Sequence, residues 1–449
     1  MAVQAYNSCV WKTPGTPGVF LFGPRHPGTL SCSGRHALSP SSPPKHAARF
    51  AEKRSFIVLI AALATIGPFS MDTFLPSLPA LQAQLGATEV QAQQALSTYL
   101  LGFGIMSLWH GAISDAIGRR PVILLALAVY ALAALACTLA PSIEVLIAAR
   151  LVQGLFGGAG ALVSRAIVRD CFDGPQAQRL MSSVMMMFAI APAIAPIVGG
   201  YLHEWWGWRS VFGFMLTGGT LLWIWTWVAL PETHPPSQRT PLRARTLARD
   251  YWRVFTRPEF QLLAATIAFN FSTFFVYVMA SPAFILRHLG LTVTDFGWFF
   301  VPVVIGMMIG ASISGRLAGR VSSRRAANYG FVLMGAGIVL NLGIQILLAP
   351  RLPSGSTLTF ISIAPLVLSA VGQSMITPSA QLLMMDMFPN NRGMVSSAQS
   401  FTQVMLSTLT AGVIAPLVSG TALHLAIAAT LFWTVGISVW LTYLRIRRR

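Results

Sequence analysis

Apolar runs long enough to cross a bilayer as helix recur from residue 55 to the end of the chain, separated by short charged or Pro/Gly-rich breaks. Each run approaches the ~20 residues that span hydrocarbon in helical form. Backbone in lipid must satisfy its own N–H and C=O groups, so such runs fold as helices and their number sets the architecture. Reading the breaks as boundaries predicts about twelve helices, near residues 55–77, 94–114, 121–140, 143–168, 181–202, 210–230, 260–286, 296–318, 328–349, 357–385, 394–418 and 422–444. With 54% hydrophobic and 10% charged residues, and a mean hydropathy of +0.64, the chain lacks the polar surface of a soluble protein of its length. The expected class is an all-α polytopic membrane protein with twelve transmembrane helices in two six-helix halves.

The net charge of +18 raises nucleic acid as a partner, but the basic residues lie in the breaks, which favours topology over nucleic-acid binding. Lys53 and Arg54, Arg119 and Arg120, Arg169 and Arg179, Arg239 to Arg257, Arg316 to Arg325, Arg392 and the tail Arg445, Arg447, Arg448 and Arg449 fall on one side. The opposite loops hold Arg209, Arg287 and Arg351. The rich side, with both termini, is therefore expected to be cytoplasmic, and the membrane a bacterial inner membrane. The polar break Pro231 to Glu259 divides the spans into six and six, and "GAISDAIGRR" from Gly111 is echoed by "GRLAGRVSSRR" from Gly315 at the same place in the second set. The expected domains are an extension at 1–52, a half at 53–230, a linker at 231–259 and a half at 260–449. Two such halves, with a cavity between them near the bilayer midplane, suit alternating access. The first 52 residues are rich in Pro, Gly, Ser, Arg and His and have no apolar core of signal-peptide length. They read as a disordered cytoplasmic extension, consistent with an overlong reading frame.

Of the thirteen acidic residues, Asp72 alone lies well inside an apolar run. An ionised side chain in hydrocarbon costs at least ~2.5 kcal/mol, so an unpaired carboxylate there is neutral, hydrated or compensated, which suits a proton carrier. A competing reading makes Asp72 an interfacial cap on a helix closed by Pro76 and Pro79. Arg150 is the basic residue deepest in a span, about 12 Å down its helix at ~1.5 Å per residue. Asp72 and Arg150 are thus expected in the same half of the membrane, as a coupled pair or as a static ion pair holding helices together. Gln153, one turn further, can hold the guanidinium or a substrate. Gly154, Gly157, Gly158 and Gly160 suit close helix packing. Cys9, Cys32, Cys137 and Cys171 show no CxxC spacing, the histidines are scattered, and no GxxxxGK[ST] loop is present, so no metal, cofactor or ATP site is expected.

"GAISDAIGRRP" resembles the GxxxDxxGRR loop of the major facilitator superfamily, "RLVQGLFGGAG" its fourth-helix RxxQG motif, and "APAIAPIVGGYLHEWWGWRSVF" the fifth-helix motif of its proton-coupled exporters. "MDTFLPSLP", "STYLLGFGIMSLWHGAISD" and "RAIVRD" resemble the Bcr/CflA group of drug:proton antiporters, which includes bicyclomycin and chloramphenicol exporters. The resemblance runs from about Ser55 to the C-terminus and is denser in the first half. It implies that Asp72 is the proton-coupling acid with Arg150 as partner, that Gly111, Asp115, Gly118, Arg119 and Arg120 form a cytoplasmic gate, and that Pro192, Pro196, Gly199 and Gly200 bend and pack the fifth helix. Ala195 and Gly319 depart from the pattern, the latter standing where the repeated gate has an acid. Phe69, Phe74, Tyr99, Met185, Met186, Met187, Phe188, Phe274, Phe275 and Tyr277 are candidates for an adaptable apolar wall. Asp72, Tyr99, Gln153 and Asn270 are the candidate substrate contacts. The expected function is proton-coupled export of small amphipathic or lipophilic compounds by a monomer whose partners are protons, substrate and membrane lipid. Export of amino acids, short peptides or other metabolites is the alternative. A membrane enzyme would need a second group converging on Asp72, and none is evident. A nontransporting sensor with a transporter-like fold is a further reading.

Overall fold

The computed structural model describes residues 54–172, 174–353, 355–388 and 392–447. The expected extension 1–52, Lys53, Arg448, Arg449 and the side chains of Arg54, Arg179, Met185 and Phe188 lie outside what is described. Among the described residues ten helical stretches are long and apolar enough to cross a membrane, or eleven when α3 (Glu89–Ser107) and α4 (His110–Ile117), bent by 49°, count as one span. The 33-residue helix Gly174–Trp206 stands at the fifth position. The twelve spans therefore follow the expected order, in two halves of six.

Span 1 comprises α1 (Arg54–Asp72), a 3-10 turn at Leu75–Ser77 and α2 (Leu78–Leu85). Span 2 is α3 with α4, span 3 is α5 (Arg119–Thr138), and span 4 is α6 (Ile143–Gly157) with α7 (Ala159–Cys171). Spans 5 and 6 are α8 (Gly174–Trp206) and α9 (Trp208–Ala229). The linker carries α10 (Ala244–Phe255). Spans 7 to 10 are α11 (Pro258–Met279), α12 (Gly297–Leu317), α13 (Ser323–Leu347) and α14 (Ser356–Met387). Span 11 is α15 (Arg392–Leu409), a π turn and α16 (Ala415–Val418), and span 12 is α17 (Ala422–Ile446).

The first span runs further than its prolines suggest. Pro76 and Pro79 do not close it; they stand in the opening turns of the 3-10 segment and of α2, where a missing N–H costs nothing. The span continues to Leu85, and Asp72, the last residue of α1, lies near the middle of the 31-residue stretch Ser55–Leu85. An interfacial cap does not describe that position.

An even number of spans puts the linker and both chain ends on one face, here the linker face; the opposite one is the far face. On the far-face side Gln93 Nε2 of span 2 donates to the Met279 carbonyl of span 7 (3.2 Å). Glu89 Oε1 accepts from Arg287 Nη2 (2.9 Å) and from Ser419 Oγ (2.8 Å), so one carboxylate joins the far ends of spans 2, 7 and 11. At the linker face α10 leans on both halves: Tyr251 donates its hydroxyl to the Leu108 carbonyl (3.0 Å), and Phe255 meets Phe401 edge to face (6.0 Å). Burial holds the Tyr251 phenol above its ordinary pKa, so it stays a donor at neutral pH.

Candidate functional site

A cavity of about 310 Å³ lies between the halves, walled by spans 1, 2 and 5 of the first and spans 7, 8 and 11 of the second. Phe103, Phe271, Phe274, Phe275 and Phe300 face it. Its polar side chains are Asp72, Tyr99, Gln403 and Ser407. Asp72 reaches the wall because α1 stops there, and the backbone is held in place by Gly199 of span 5, where any Cβ would overlap the Thr73 carbonyl. Asp72 is 5% exposed, and among the described residues no hydrogen bond or ion pair engages its carboxylate. It is the one acid among the described lining residues.

Arg150 is 0% exposed and sits one layer behind this wall. Glycines make that approach possible: a Cβ at Gly154 would overlap the Tyr99 carbonyl, so spans 2 and 4 touch backbone to backbone. Arg150 Nε donates to the Ala95 carbonyl (3.2 Å) and Nη1 to Gln153 Oε1 (2.7 Å), while Nη2 has no partner among the described residues. Its guanidinium carbon lies 4.2 Å from the ring centroid of Tyr99, 5.4 Å from that of Phe74 and 5.9 Å from that of Phe212. Aromatic faces and backbone dipoles stabilise a buried cation without a carboxylate. The expected Asp72 and Arg150 ion pair is thus not formed; Tyr99 is shared between them instead. Its ring carries Arg150, its edge lines the cavity with Asp72, and its hydroxyl donates to the Gly67 carbonyl (2.8 Å). Ser70 and Tyr130 hydrogen-bond beside this cluster.

Two candidate substrate contacts are not on the cavity wall. Gln153, 0% exposed, is occupied with Arg150 and the Met215 sulfur (3.8 Å). Asn270 is also buried; it donates to the Thr266 carbonyl (2.9 Å), and Gly436 of span 12 packs beside its amide. The helical repeat explains this: Phe271, Phe274 and Phe275 occupy the cavity-facing side of α11, which turns Asn270 away. Among the other apolar candidates Phe274 and Phe275 line the cavity, Phe74 serves the Arg150 cage, and Phe69 meets Phe214 at a tilt instead. Tyr277 accepts from Asn341 (2.6 Å). Met186 and Met187 are exposed on the surface of α8. Gln403 and Ser407 escaped the sequence reading because neutral polar residues in a span carry no charge signal. Pro192 and Pro196 both lie inside α8, Pro192 on the cavity wall. A Cβ at Gly200 would overlap the Val293 carbonyl of the other half, so this glycine serves the contact between halves.

At the linker face two of the candidate gate residues, Asp115 and Arg119, form a closed charge cluster with Asp170 and Glu232. Arg119, 5% exposed, donates from Nη1 to Asp115 Oδ1 (2.5 Å) and Ser114 Oγ (2.6 Å), and from Nε to Asp170 Oδ2 (3.0 Å). Glu232 accepts from the backbone N–H groups of Arg119 (3.0 Å) and Arg120 (3.3 Å), placing a carboxylate on the positive end of α5. Arg120 points elsewhere, donating to the Trp227 carbonyl (2.7 Å). Gly118 has φ +115°, and a Cβ there would come within 2.5 Å of the Glu232 carboxylate. Gly111 has no neighbour near enough for a packing role. Asp170 and Glu232 lie in loops or near span ends, where an acid is common and marks no site; the Pro231–Glu232 step just beyond a span was the available signal.

The profile of the Major Facilitator Superfamily matches residues 58–411, with a second match over 275–446. A bicyclomycin resistance protein homolog of Haemophilus influenzae is 32% identical over 253 residues, 56% of this chain and 64% of that protein. Multidrug resistance protein D of Escherichia coli is 32% identical over 40% of this chain and 46% of its own length. A chloramphenicol resistance protein of Pseudomonas aeruginosa is 28% identical over 63% of this chain and 67% of its own. The chain thus spans less than two thirds of the length of the first two. Among solved structures, a bacterial homolog of the human lysosomal transporter Spinster, inward-facing and unoccupied, superposes with a TM-score of 0.67 at 16% identity, covering 90% of this chain and 98% of that one. The human organic anion transporter MFSD10 gives 0.62 at 16%, covering 89% and 100%.

Proposed function

Because the chain belongs to the Major Facilitator Superfamily, we propose that it is a proton-coupled antiporter exporting small amphipathic and lipophilic compounds by alternating access. The reading includes a bacterial inner membrane with both termini and the linker in the cytoplasm, and halves bounded near 53–230 and 260–449. Relatives named for bicyclomycin, chloramphenicol and multidrug resistance support the substrate class. The observation that carries it is a carboxylate, Asp72, unpaired among the described residues, at a helix break in the wall of a phenylalanine-lined cavity between the halves.

An acid in that position is neutral when the cavity is dry and apolar, and sheds its proton when water or a substrate's donor group stabilises the anion. In the state whose cavity opens to the linker side, substrate binding expels the proton to the cytoplasm. Substrate and proton then compete for one site, which couples their opposite movements. Arg150 acts through Tyr99: the guanidinium behind the ring holds Tyr99 in the wall beside Asp72. Asp115, Arg119, Asp170 and Glu232 are the linker-face lock that rearranges as the halves rock.

The test uses proteoliposomes with an imposed proton gradient. Wild-type protein should accumulate a lipophilic antibiotic against its concentration gradient, and adding that compound to purified protein in weak buffer should release protons. Asp72→Asn should insert normally and do neither. Undiminished uphill transport by that variant would remove Asp72 from the coupling step.

A further inference from the structure

The two halves repeat two positions on their linker-face rim, a basic residue in the first turn of the third span and an acid one residue from the end of the fourth, and each adds a charged residue within three residues of the end of its sixth span. In the first half these are Arg119, Asp170 and Glu232, which close on one another through the hydrogen bonds described above. In the second half they are Arg324, Asp386 and Arg447. The residue added beyond the sixth span is an acid in the first half and a cation in the second, and the second cluster is open. A cavity of about 550 Å³ stands there, lined by Arg257, Arg324, Arg447, Glu259, Asp386 and Tyr443, among others. Among the described residues no hydrogen bond or ion pair engages the three guanidinium groups. Tyr443 is 1% exposed, its ring stacked on Trp440 at 5.5 Å, and its hydroxyl has no partner among the described residues.

We propose that this cavity is a binding site for a phosphate group, supplied in the membrane by the phosphodiester of an anionic phospholipid in the linker-face leaflet. The first half shows what the second lacks: there the anion of Glu232 completes the rim, whereas the residue that the end of span 12 brings to the second rim, Arg447, is another cation. Three guanidinium groups against two carboxylates leave one positive charge, which a singly charged phosphodiester cancels. Arginines from spans 7 and 9 and from the end of span 12 converge on the cavity, and their planar forks match phosphate oxygens. The Tyr443 hydroxyl supplies a neutral donor at the inner wall. The cavity opens at the linker face, at the level of lipid headgroups, and the surrounding arginines attract anionic lipid to it. Occupancy would pin together the ends of three spans in the half that lacks its own acidic lock.

The experiment is native mass spectrometry of the full chain in detergent with phosphatidylglycerol or phosphatidylcholine, with melting curves run in parallel with and without inorganic phosphate. Wild type should retain phosphatidylglycerol in preference to phosphatidylcholine. Arg324→Gln with Arg447→Gln should lower that retention by about tenfold, the scale of one lost charge-assisted contact. Arg351→Gln, on the far face, should leave it unchanged. If the double variant does not fold, Arg447→Gln alone, at an exposed residue, serves in its place. Stabilisation by inorganic phosphate that the double variant loses, without any lipid preference, would assign the same site to free phosphate. Phosphatidylglycerol retention equal in wild type and double variant, or no response to either phosphate source, would overturn the proposal.

Discussion

Tyr99 is the residue on which the site turns, because its two ends do different work. Its hydroxyl satisfies the Gly67 carbonyl inside span 1, and its ring carries the Arg150 guanidinium. Tyr99→Phe keeps the ring and removes one hydrogen bond to a carbonyl that retains its helical partner, so it should cost ~0.5–1.5 kcal/mol of stability, read as a lower melting temperature in detergent, with transport largely kept. Tyr99→Leu removes the aromatic face as well and should impair coupling beyond its effect on stability; equal transport by the two variants would deny the ring any electrostatic role. The sequence made Asp72 and Arg150 legible because charge in hydrocarbon is rare and costly. It did not make their separation legible. Two buried charges invite pairing, and the aromatic cage that replaces the pair is built from Phe74, Tyr99 and Phe212, residues that read as ordinary apolar wall.

Among elements, the breaks matter more than the lengths. Periodicity and hydropathy locate nearly every span, since those signals come from burial in lipid, whereas the point where a span is interrupted depends on tertiary support. Span 1 shows this: the prolines at 76 and 79 mark turn starts inside the membrane, and the interruption falls at Asp72 because Gly199 of α8 packs against Thr73. The start of α5 depends on the carboxylate of Glu232, more than a hundred residues away. Glu232→Ala should therefore uncap this helix and lower stability by ~1–2 kcal/mol, measurable by thermal unfolding; Glu232→Gln, which keeps an acceptor, should lose less. The tie from α10 to Leu108 has its own pH signature. A phenol whose folded pKa is raised by burial contributes its full stability below the ordinary value, and loses it as pH rises through the raised one. Melting curves at neutral pH should therefore be insensitive to this group, with a decline confined to strongly alkaline conditions and absent in Tyr251→Phe.

At the scale of the whole molecule, the far face is held by a small number of polar ties, and Glu89 makes two of them. Exposed ion pairs contribute ~0–1 kcal/mol, which is little for stability but enough to bias two conformations of similar energy. Glu89→Gln should leave the melting temperature nearly unchanged and shift the population toward opening at the far face. Labelling of a cysteine introduced at Leu100, on the cavity wall, by a membrane-impermeant reagent from that side should rise several-fold; no rise would leave the carboxylate without a part in closure. The two-half plan was legible from the linker and from the echo of the GRR loop. The depth to which the linker belongs to the first half was not, because a Pro- and Arg-rich stretch carries no packing signal. Glu232 and Thr240 are both hydrogen-bonded to the GRR segment, the latter through its backbone N–H to the Asp115 carbonyl (3.2 Å). The chain expressed as two separate polypeptides should consequently tolerate a cut after residue 241 and fail to assemble when cut after residue 230, since the second cut leaves the first fragment's own keystone on the other fragment.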